Sequence, residues 1–200
     1  NTVNPQSLLS EYSLKEKQQD YAVGIDYSHG TRDYNLTLGY KDVRSDFRAD
    51  MGFVGKTGYK ALQFSGEKTY FGEESETFNR LGYFGSGDMT YDQHGKQLSR
   101  SVEFLGFANG PMQFYANFGL SAGEEFYQNE YNQDGEYFSH MSLLGYSTIT
   151  PLPGLKLSLS GSVGQQIDYD NANTGQKLDS WLTIDWTVNK NLNLNLNHFF

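Results

Sequence analysis

Oxygen-bearing side chains that could bind a cation are concentrated in residues 168–175, whose sequence is Asp-Tyr-Asp-Asn-Ala-Asn-Thr-Gly. Carboxylate and amide oxygens are the ligands that Ca²⁺ prefers. The spacing differs from that of a helix-flanked calcium loop, because Ala172 stands where a third ligand is needed. Aspartate and asparagine are also typical of turns, where their side chains bond the nearby backbone. We interpret the segment as an Asx-rich turn, with calcium binding as the alternative.

A second acidic segment runs from Glu124 to Glu136 and includes Glu125, Glu130 and Asp134. Its carboxylates could bind divalent cations, or lipopolysaccharide through such cations. A solvated loop is the simpler interpretation.

The remaining reactive side chains are scattered along the chain. Glycines at residues 82–87 superficially suggest a phosphate-binding loop, but no helical pattern follows them. No Gly-x-Ser-x-Gly nucleophile motif occurs. The histidines are far apart, without the spacing of metal ligands; they are His29, His94, His140 and His198. We therefore predict no catalytic, cofactor-binding or metal site, and no enzyme activity.

The elements that carry these residues are expected to be β-strands, most clearly between Pro151 and Phe200. Apolar and polar residues alternate there with a period of two, over residues 155–164, 178–188 and 191–197. Strands of about ten residues match the ~9–11 that a tilted strand needs to cross a bilayer. We predict three strands, each with one apolar and one polar face.

Further strands are predicted along the rest of the chain. Their bounds are a weak first strand at Leu8–Leu14, then Tyr21–Tyr27, Tyr34–Tyr40, Tyr59–Phe71, Thr77–Tyr91, Leu98–Ala108, Met112–Ala122 and Tyr137–Ile149. Lys68, Leu105 and Leu144 interrupt the alternation, and we expect β-bulges in their strands. The total is about eleven, whereas single-chain bacterial barrels have even counts. We therefore predict that residues 1–200 form one all-β domain, an antiparallel up-and-down transmembrane β-barrel that is part of a larger barrel.

The predicted connections alternate in length. Residues 72–74, 109–111, 151–154 and 189–190 give short turns on one side, and 44–58, 92–96, 123–136 and 168–175 give mostly longer loops on the other. In outer-membrane barrels the short turns are periplasmic and the long loops extracellular. We expect the same orientation here.

Composition favours a bacterial outer membrane as the location. Aromatic residues make up 16% of the chain, with 15 Tyr and 14 Phe, which suits rings of side chains at the membrane surface. No run approaches the ~18 apolar residues of a membrane helix. The net charge of −9 argues against nucleic acid as a partner, and the absence of cysteine excludes disulfides. The expected partners are outer-membrane lipid and lipopolysaccharide, and either further strands or another protein subunit.

One irregular segment carries a family resemblance. The residues that match are Phe47, Arg48, Ala49, Asp50, Gly52, Phe53, Val54, Lys56 and Tyr59. They resemble the signature loop, Phe-Arg-Ala-Asp-Leu-Gly-Phe-Val followed by a basic residue and Tyr, of a family of proteobacterial and Bacteroidetes outer-membrane barrels of uncharacterised activity. In that family a family-9-like carbohydrate-binding domain precedes the barrel. The likeness covers roughly residues 21–71 and implies a barrel fold.

Within this motif the sequence leaves two roles open for Arg48 and Asp50. They could form an ion pair that folds the loop into the lumen and narrows the pore. Alternatively, they could form a structural clasp that packs Phe47 and Phe53 against the barrel wall.

The polar phases of the strands predict the charges of an interior lining. The regular strands contribute Asp26, Asp179 and Asp185 against Lys41 and Lys156, and the less regular strands add Glu67, Asp88 and Glu103 against Arg80. Six acids oppose three bases, which predicts a lining that prefers cations.

The sequence therefore predicts a channel or transmembrane scaffold for passage across the outer membrane. One alternative is a structural sheath or anchor that holds a periplasmic or extracellular partner. Another is a hydrolase with its site at the barrel rim. A soluble β-sandwich is the rival fold, but its strands would be shorter.

Overall fold

The computed structural model describes residues 20–45, 47, 56–73, 77–128 and 134–200. Its strands are β1 (Ala22–Gly30), β2 (Tyr34–Val43), β3 (Tyr59–Phe71), β4 (Arg80–Asp92), β5 (Gln97–Gly110), β6 (Phe114–Tyr127), β7 (Glu136–Leu152), β8 (Leu155–Asp168), β9 (Asn173–Asn189) and β10 (Leu192–Phe199). Each strand pairs with the next in one ten-stranded antiparallel sheet. The prediction of an all-β, up-and-down sheet is confirmed. Within the described ranges, no helix is long and apolar enough to cross a membrane.

The sheet is open rather than closed. Over the described residues, β1 pairs only with β2 and β10 only with β9, so both strands have a free edge. The weak strand predicted at Leu8–Leu14 lies outside the described residues. An eleventh strand therefore stays a prediction.

Strand register corrects the expected positions of the β-bulges. β3 pairs with β4 without a shift over its whole length, although it contains Lys68. Leu105 and Leu144 also keep register with β6. β5 and β7 do carry register shifts, as expected, but at their ends: the β5 partner steps from Ser99 to Gln97 opposite Thr90/Tyr91, and β7 shifts at Ile149/Leu152. A further shift lies at Leu192/Asn193 of β10. A bulge at Leu105 or Leu144 would disrupt the hydrogen-bond ladder. An apolar side chain on the polar face avoids this cost if neighbouring side chains pack against it.

Connection lengths differ between the two ends of the sheet, but several predicted bounds are corrected. The loops predicted at 123–136 and 168–175 are shorter, because β6 continues to Tyr127 and β9 begins at Asn173. We name each end by its connections. The short-turn end comprises residues 31–33, 72–79, 111–113, 153–154 and 190–191. The long-loop end comprises residues 44–58, 93–96, 128–135 and 169–172. The predicted short turn at 72–74 is wrong, because β4 begins at Arg80 and the connection has eight residues. Phe78 leaves the strand pattern and packs on Phe114, with ring centroids 6.3 Å apart.

Strand pairing divides the sheet into two faces, since paired residues on neighbouring strands point the same way. We call the first the apolar face; it comprises Ile25, Tyr27, Leu36, Leu38, Tyr40, Leu62, Phe64, Leu81, Tyr83, Val102, Phe104, Phe118, Leu120, Met141, Leu143, Leu157, Leu159, Val163, Leu178, Leu182, Ile184, Trp186, Leu194, Leu196 and the residues in register with them. The intervening residues form the polar face. The division continues across all ten strands.

Side chains are more crowded on the polar face. Phe104 and Phe118 on the apolar face are 52% and 64% exposed, whereas Phe84 and Phe107 on the polar face are half-buried. Val43 and Phe138 are the buried hydrophobic residues of the described ranges. Over the described residues the sheet is therefore a single layer, without the second layer that usually covers an apolar face.

Candidate functional site on the polar face

The nine charged residues that the sequence assigns to an interior lining all lie on the polar face. The structure adds Lys177, whose Nζ lies 3.0 Å from Oδ1 of Asp179. Six acids and four bases therefore share this part of the face. Their separation along the chain is large, and the antiparallel register brings them onto one surface.

Hydrogen bonds between paired strands hold several of these carboxylates in place. Ser162 donates to Oδ2 of Asp179 from its backbone amide at 3.1 Å and from its hydroxyl at 3.0 Å. The hydroxyl of Ser101 donates to Asp88, and the amide side chain of Asn195 donates to Asp185. In each case donor and acceptor are register partners. The sheet thus fixes carboxylates that point to the polar side.

An open polar groove lies between β1 and β4. It has a volume of about 320 Å³ and is lined by Asp26, Thr37, Gly39, Gln63, Phe64, Ser65, Ser86, Gly87 and Asp88. Gly39 keeps it open beside Asp26, because a Cβ at Gly39 would lie 2.9 Å from Oδ1 of Asp26. Carboxylate, hydroxyl and amide oxygens in one groove can attract a hydrated cation.

A denser group of residues, the Glu67–Arg80 cluster, lies on the same face near the short-turn end. A cavity of about 190 Å³ is lined by Glu67, Arg80, Phe84, Leu105, Phe107, Tyr115 and Asn117. Nη2 of Arg80 lies 2.8 Å from Oε1 of Glu67. The guanidinium carbon of Arg80 lies 5.0 Å from the centroid of the Phe107 ring, a cation–π contact.

Two polar atoms beside this cluster lack partners. Nε of Arg80 and Oδ1 of Asn109 are buried without a hydrogen-bond partner among the described residues. The two residues pair with each other across β4 and β5. A buried donor and a buried acceptor without partners carry a desolvation cost, which the neighbouring ion pair and cation–π contact help to offset. Strand alternation predicts Glu67 and Arg80 on this face, but nothing in the sequence indicates that they meet each other and the Phe107 ring.

The family-motif residues are only partly described. Arg48, Asp50, Gly52 and Phe53 lie outside the described residues, so their two suggested roles stay predictions. The amide of Phe47 donates to the carbonyl of Arg44 at 3.3 Å. Lys56 is exposed. Tyr59 opens β3 opposite Val43, so the motif ends where the sheet resumes.

Gln93 fastens the base of this long loop. Its side-chain amide donates to Oδ1 of Asp42 at 3.0 Å, to the carbonyl of Val43 at 3.0 Å and to the carbonyl of Tyr59 at 3.3 Å. Val43 is 2% exposed and Asp42 is also buried. Both ends of the loop are therefore held by one side chain, which sequence analysis did not single out.

The calcium-like segment adopts the turn that its composition favours. The side-chain amide of Asn171 donates to Oδ2 of Asp168 at 2.7 Å, and its backbone amide donates to Oδ1 at 3.2 Å. These bonds lower the pKa of the Asp168 carboxyl below its usual value. In the part of the chain that the structure describes, no three His, Asp or Glu residues are arranged to hold a metal ion. The bonds favour the Asx-rich turn over calcium binding.

Other loop carboxylates at the long-loop end also have partners. Asp92 accepts the backbone amides of Lys96 and His94, each at 2.8 Å, and these bonds lower its pKa. Glu124 pairs with Arg100 at 3.0 Å, and Glu125 accepts the Tyr169 hydroxyl at 2.9 Å. Glu130 of the acidic segment lies outside the described residues. Part of that segment is thus used in contacts within the sheet.

The polar face combines fixed carboxylates, hydroxyls, amides and a few aromatic rings. Such groups attract cations and hydrogen-bond polar solutes without a covalent step. Comparison with known protein families, with curated proteins and with solved structures finds no match for this chain. The function is therefore argued from the geometry of the two faces.

Proposed function

We propose that this chain forms part of the wall of a β-barrel in a bacterial outer membrane, with the apolar face toward lipid and the polar face lining a passage that prefers cations. The observation that supports this most is the continuous apolar face, which no protein layer covers in the described residues. The largest apolar patch of a soluble monomer is only ~300–600 Å². In a bilayer, lipid would cover the face while the strands satisfy each other's backbone groups.

The dimensions of the apolar face also support a membrane. On β9 it extends from Leu178 to Val188, which matches the ~9–11 residues of a tilted membrane-crossing strand. Exposed tyrosines lie near its margins, with Tyr34 and Tyr70 at the short-turn end and Tyr137 at the long-loop end. Tyrosine suits this level because its ring is apolar and its hydroxyl reaches water.

The open sheet requires further strands in this proposal. Free edges at β1 and β10 would expose unpaired backbone groups to lipid, which is costly. Further strands of the same polypeptide, or another subunit, would complete the barrel. The short-turn end would face the periplasm and the long-loop end the outside.

Passage through this barrel would be passive and selective by charge. The lining charges named above, six acids against four bases, give the polar face a negative lining. A low-dielectric wall strengthens the field of these charges, so even a small excess attracts cations. Salt at ~1 M, where the Debye length is ~3 Å, should weaken the preference.

The test is the reversal potential of the purified protein in a planar bilayer under a KCl gradient. We expect potassium preference, and a smaller preference in the triple variant Asp26→Asn, Asp88→Asn, Glu103→Gln. Asp170→Asn, in the turn at 169–172, is the matched control because it removes a charge away from the polar face. Chloride preference in the unaltered protein would contradict the proposed lining.

A second candidate function is a transmembrane sheath that holds a partner against the polar face. The Glu67–Arg80 cluster favours it, because a partly exposed ion pair beside aromatic rings at a cavity suits a contact surface. A sheath would show no conductance, even after deletion of residues 48–54. It would co-purify with a partner, and the Arg80→Met variant should lose that partner. Conductance of the unaltered protein would instead favour the channel.

A further inference from the structure

A groove crosses the apolar face where two glycines lie side by side. Gly66 of β3 and Gly85 of β4 are register partners, and Leu36 and Phe104 flank them in the same row. The groove has a volume of about 560 Å³ and also contacts Phe64 and Val102. This volume lies within the ~300–1,000 Å³ typical of sites for small ligands.

Packing within the sheet does not require these two glycines. The nearest atom to a Cβ at Gly66 would be 3.8 Å away, and at Gly85 it would be 3.7 Å away. Gly87 differs, because its Cβ would lie 2.5 Å from the Phe64 ring. Side chains could therefore fill the groove without a clash, and the glycines leave it open.

A pair of opposite charges lies at the short-turn end of the groove. Lys68 is two residues from Gly66 on the same face, and its ammonium group pairs with Asp33 in the turn between β1 and β2. The side chains of Lys68 and Asp33 are 31% and 47% exposed. Lys68 is in register with Tyr34, the first residue of β2 after that turn. A lysine on a lipid-facing surface is tolerated at this level, close to the interface, and not at the bilayer centre.

We propose that Lys68 and Asp33 bind the headgroup of phosphatidylethanolamine and that the groove at Gly66 and Gly85 holds one of its acyl chains. The headgroup phosphate would accept hydrogen bonds from Lys68, and its primary ammonium would donate to Asp33. The acyl chain would run from Lys68 past Gly66 toward the bilayer centre, between Leu36 and Phe104. This inference rests on the proposed membrane placement.

Charge complementarity selects this lipid among common headgroups. Phosphatidylglycerol offers a phosphate to Lys68 but no cation to Asp33. Phosphatidylcholine has a quaternary ammonium, which carries no N–H to donate to a carboxylate. Of these three lipids, only phosphatidylethanolamine offers both a phosphate for Lys68 and a primary ammonium for Asp33, beside the bond that the two side chains make with each other.

The experiment uses the full protein in nanodiscs that contain equal amounts of these three phospholipids, with retained lipid measured by native mass spectrometry. We expect phosphatidylethanolamine to be retained over the other two. Lys68→Gln and Asp33→Asn should each reduce that preference about tenfold, as expected for loss of one charge-assisted hydrogen bond. The control is Lys60→Gln, which removes a lysine from the same strand and face at the long-loop end, and should leave it unchanged.

The outcomes separate this proposal from the one it rests on. If the protein does not enter bilayers at all, the membrane placement is wrong. If it enters them but retains the three lipids equally, prefers the anionic lipid, or keeps its preference in Asp33→Asn, the lipid site is wrong while the barrel stands. Gly85→Leu, which fills the groove and leaves both charges in place, should lower retention of phosphatidylethanolamine; unchanged retention would contradict the acyl-chain position.

Discussion

The polar face is packed in the middle of the sheet and open at its closing strands. On β4 to β6 it carries Phe84, Leu105 and Phe107, which surround Arg80 and are half-buried. On β8 to β10 it carries mainly Ser, Thr and Asn, and its one tryptophan, Trp181, is 53% exposed. In both regions each strand pairs with its neighbours in sequence, and the opposite side of the sheet is the apolar face.

The difference shows that the two faces of one sheet need not be equally uniform. The apolar face must be mainly apolar away from its margins if lipid covers it, because a polar group in the hydrocarbon core loses its hydrogen bonds to water. The polar face accepts apolar residues where neighbouring strands supply partners for them. A local cluster can therefore form on one part of the polar face while small side chains leave the rest open.

The largest expected effect tests the separation of the faces in the closing strands. Leu159 and Ser160 are sequence neighbours on opposite faces. Leu159→Arg should destabilise the protein folded in lipid vesicles by ~2–4 kcal/mol, the cost of a lipid-facing arginine near the midplane. Ser160→Arg should change it little, because its side chain reaches the polar side. Equal losses for both variants, measured by urea titration, would show that the faces are not separated in this way.

A smaller effect should distinguish the packed middle from the closing strands. A Cβ at Gly119 in β6 would lie 1.9 Å from the carbonyl oxygen of Phe104, whereas a Cβ at Gly175 in β9 would meet no atom within 4 Å. Gly119→Ala should therefore destabilise the protein by ~1–3 kcal/mol, the usual cost of overpacking. Gly175→Ala is the control and should be neutral or slightly stabilising. The comparison of regions fails if the two variants unfold at the same urea concentration.

The smallest effect concerns the contact between Arg80 and Phe107. A double-mutant cycle with Arg80→Met and Phe107→Leu should give a coupling energy of ~0.5–1 kcal/mol, as for other partly exposed cation–π pairs. The same cycle on Lys156 and Trp181, which lie on the polar face of neighbouring strands but are not register partners, should give a value near zero. A coupling of zero for the first pair would mean that the cluster is not held together by this contact.

Much of the fold follows from alternation in the sequence. Residues such as Leu157, Ser158 and Leu159 assign their own faces, because a strand has a period of two. The nine lining charges could be placed on the polar face for the same reason. Alternation alone misleads at Leu105 and Leu144. An apolar residue at a position that belongs to the polar face suggests a break in register, and only its neighbours in the fold show that there is none.

The side-chain contacts between residues far apart in the sequence could not be predicted from the sequence. Arg80 and Glu67 meet because β3 and β4 pair in one particular register, which depends on the whole hairpin. Gln93 is an ordinary turn residue in the sequence, and only the fold brings Asp42, Val43 and Tyr59 within its reach. Phe78 was assigned to a strand because its pattern continues β4, but packing against Phe114 removes it from the ladder.

The strictly sequential strand order has a consequence for how such a sheet can grow. Every strand pairs only with its chain neighbours in the described part of the chain, so no pairing has to wait for a distant segment to arrive. Contacts of this kind involve short loops and favour rapid folding. The free edge of each completed hairpin can pair with the next strand, so the sheet can form one strand at a time. Insertion or removal of a whole hairpin at an edge would change the width of the sheet while leaving the remaining pairings intact.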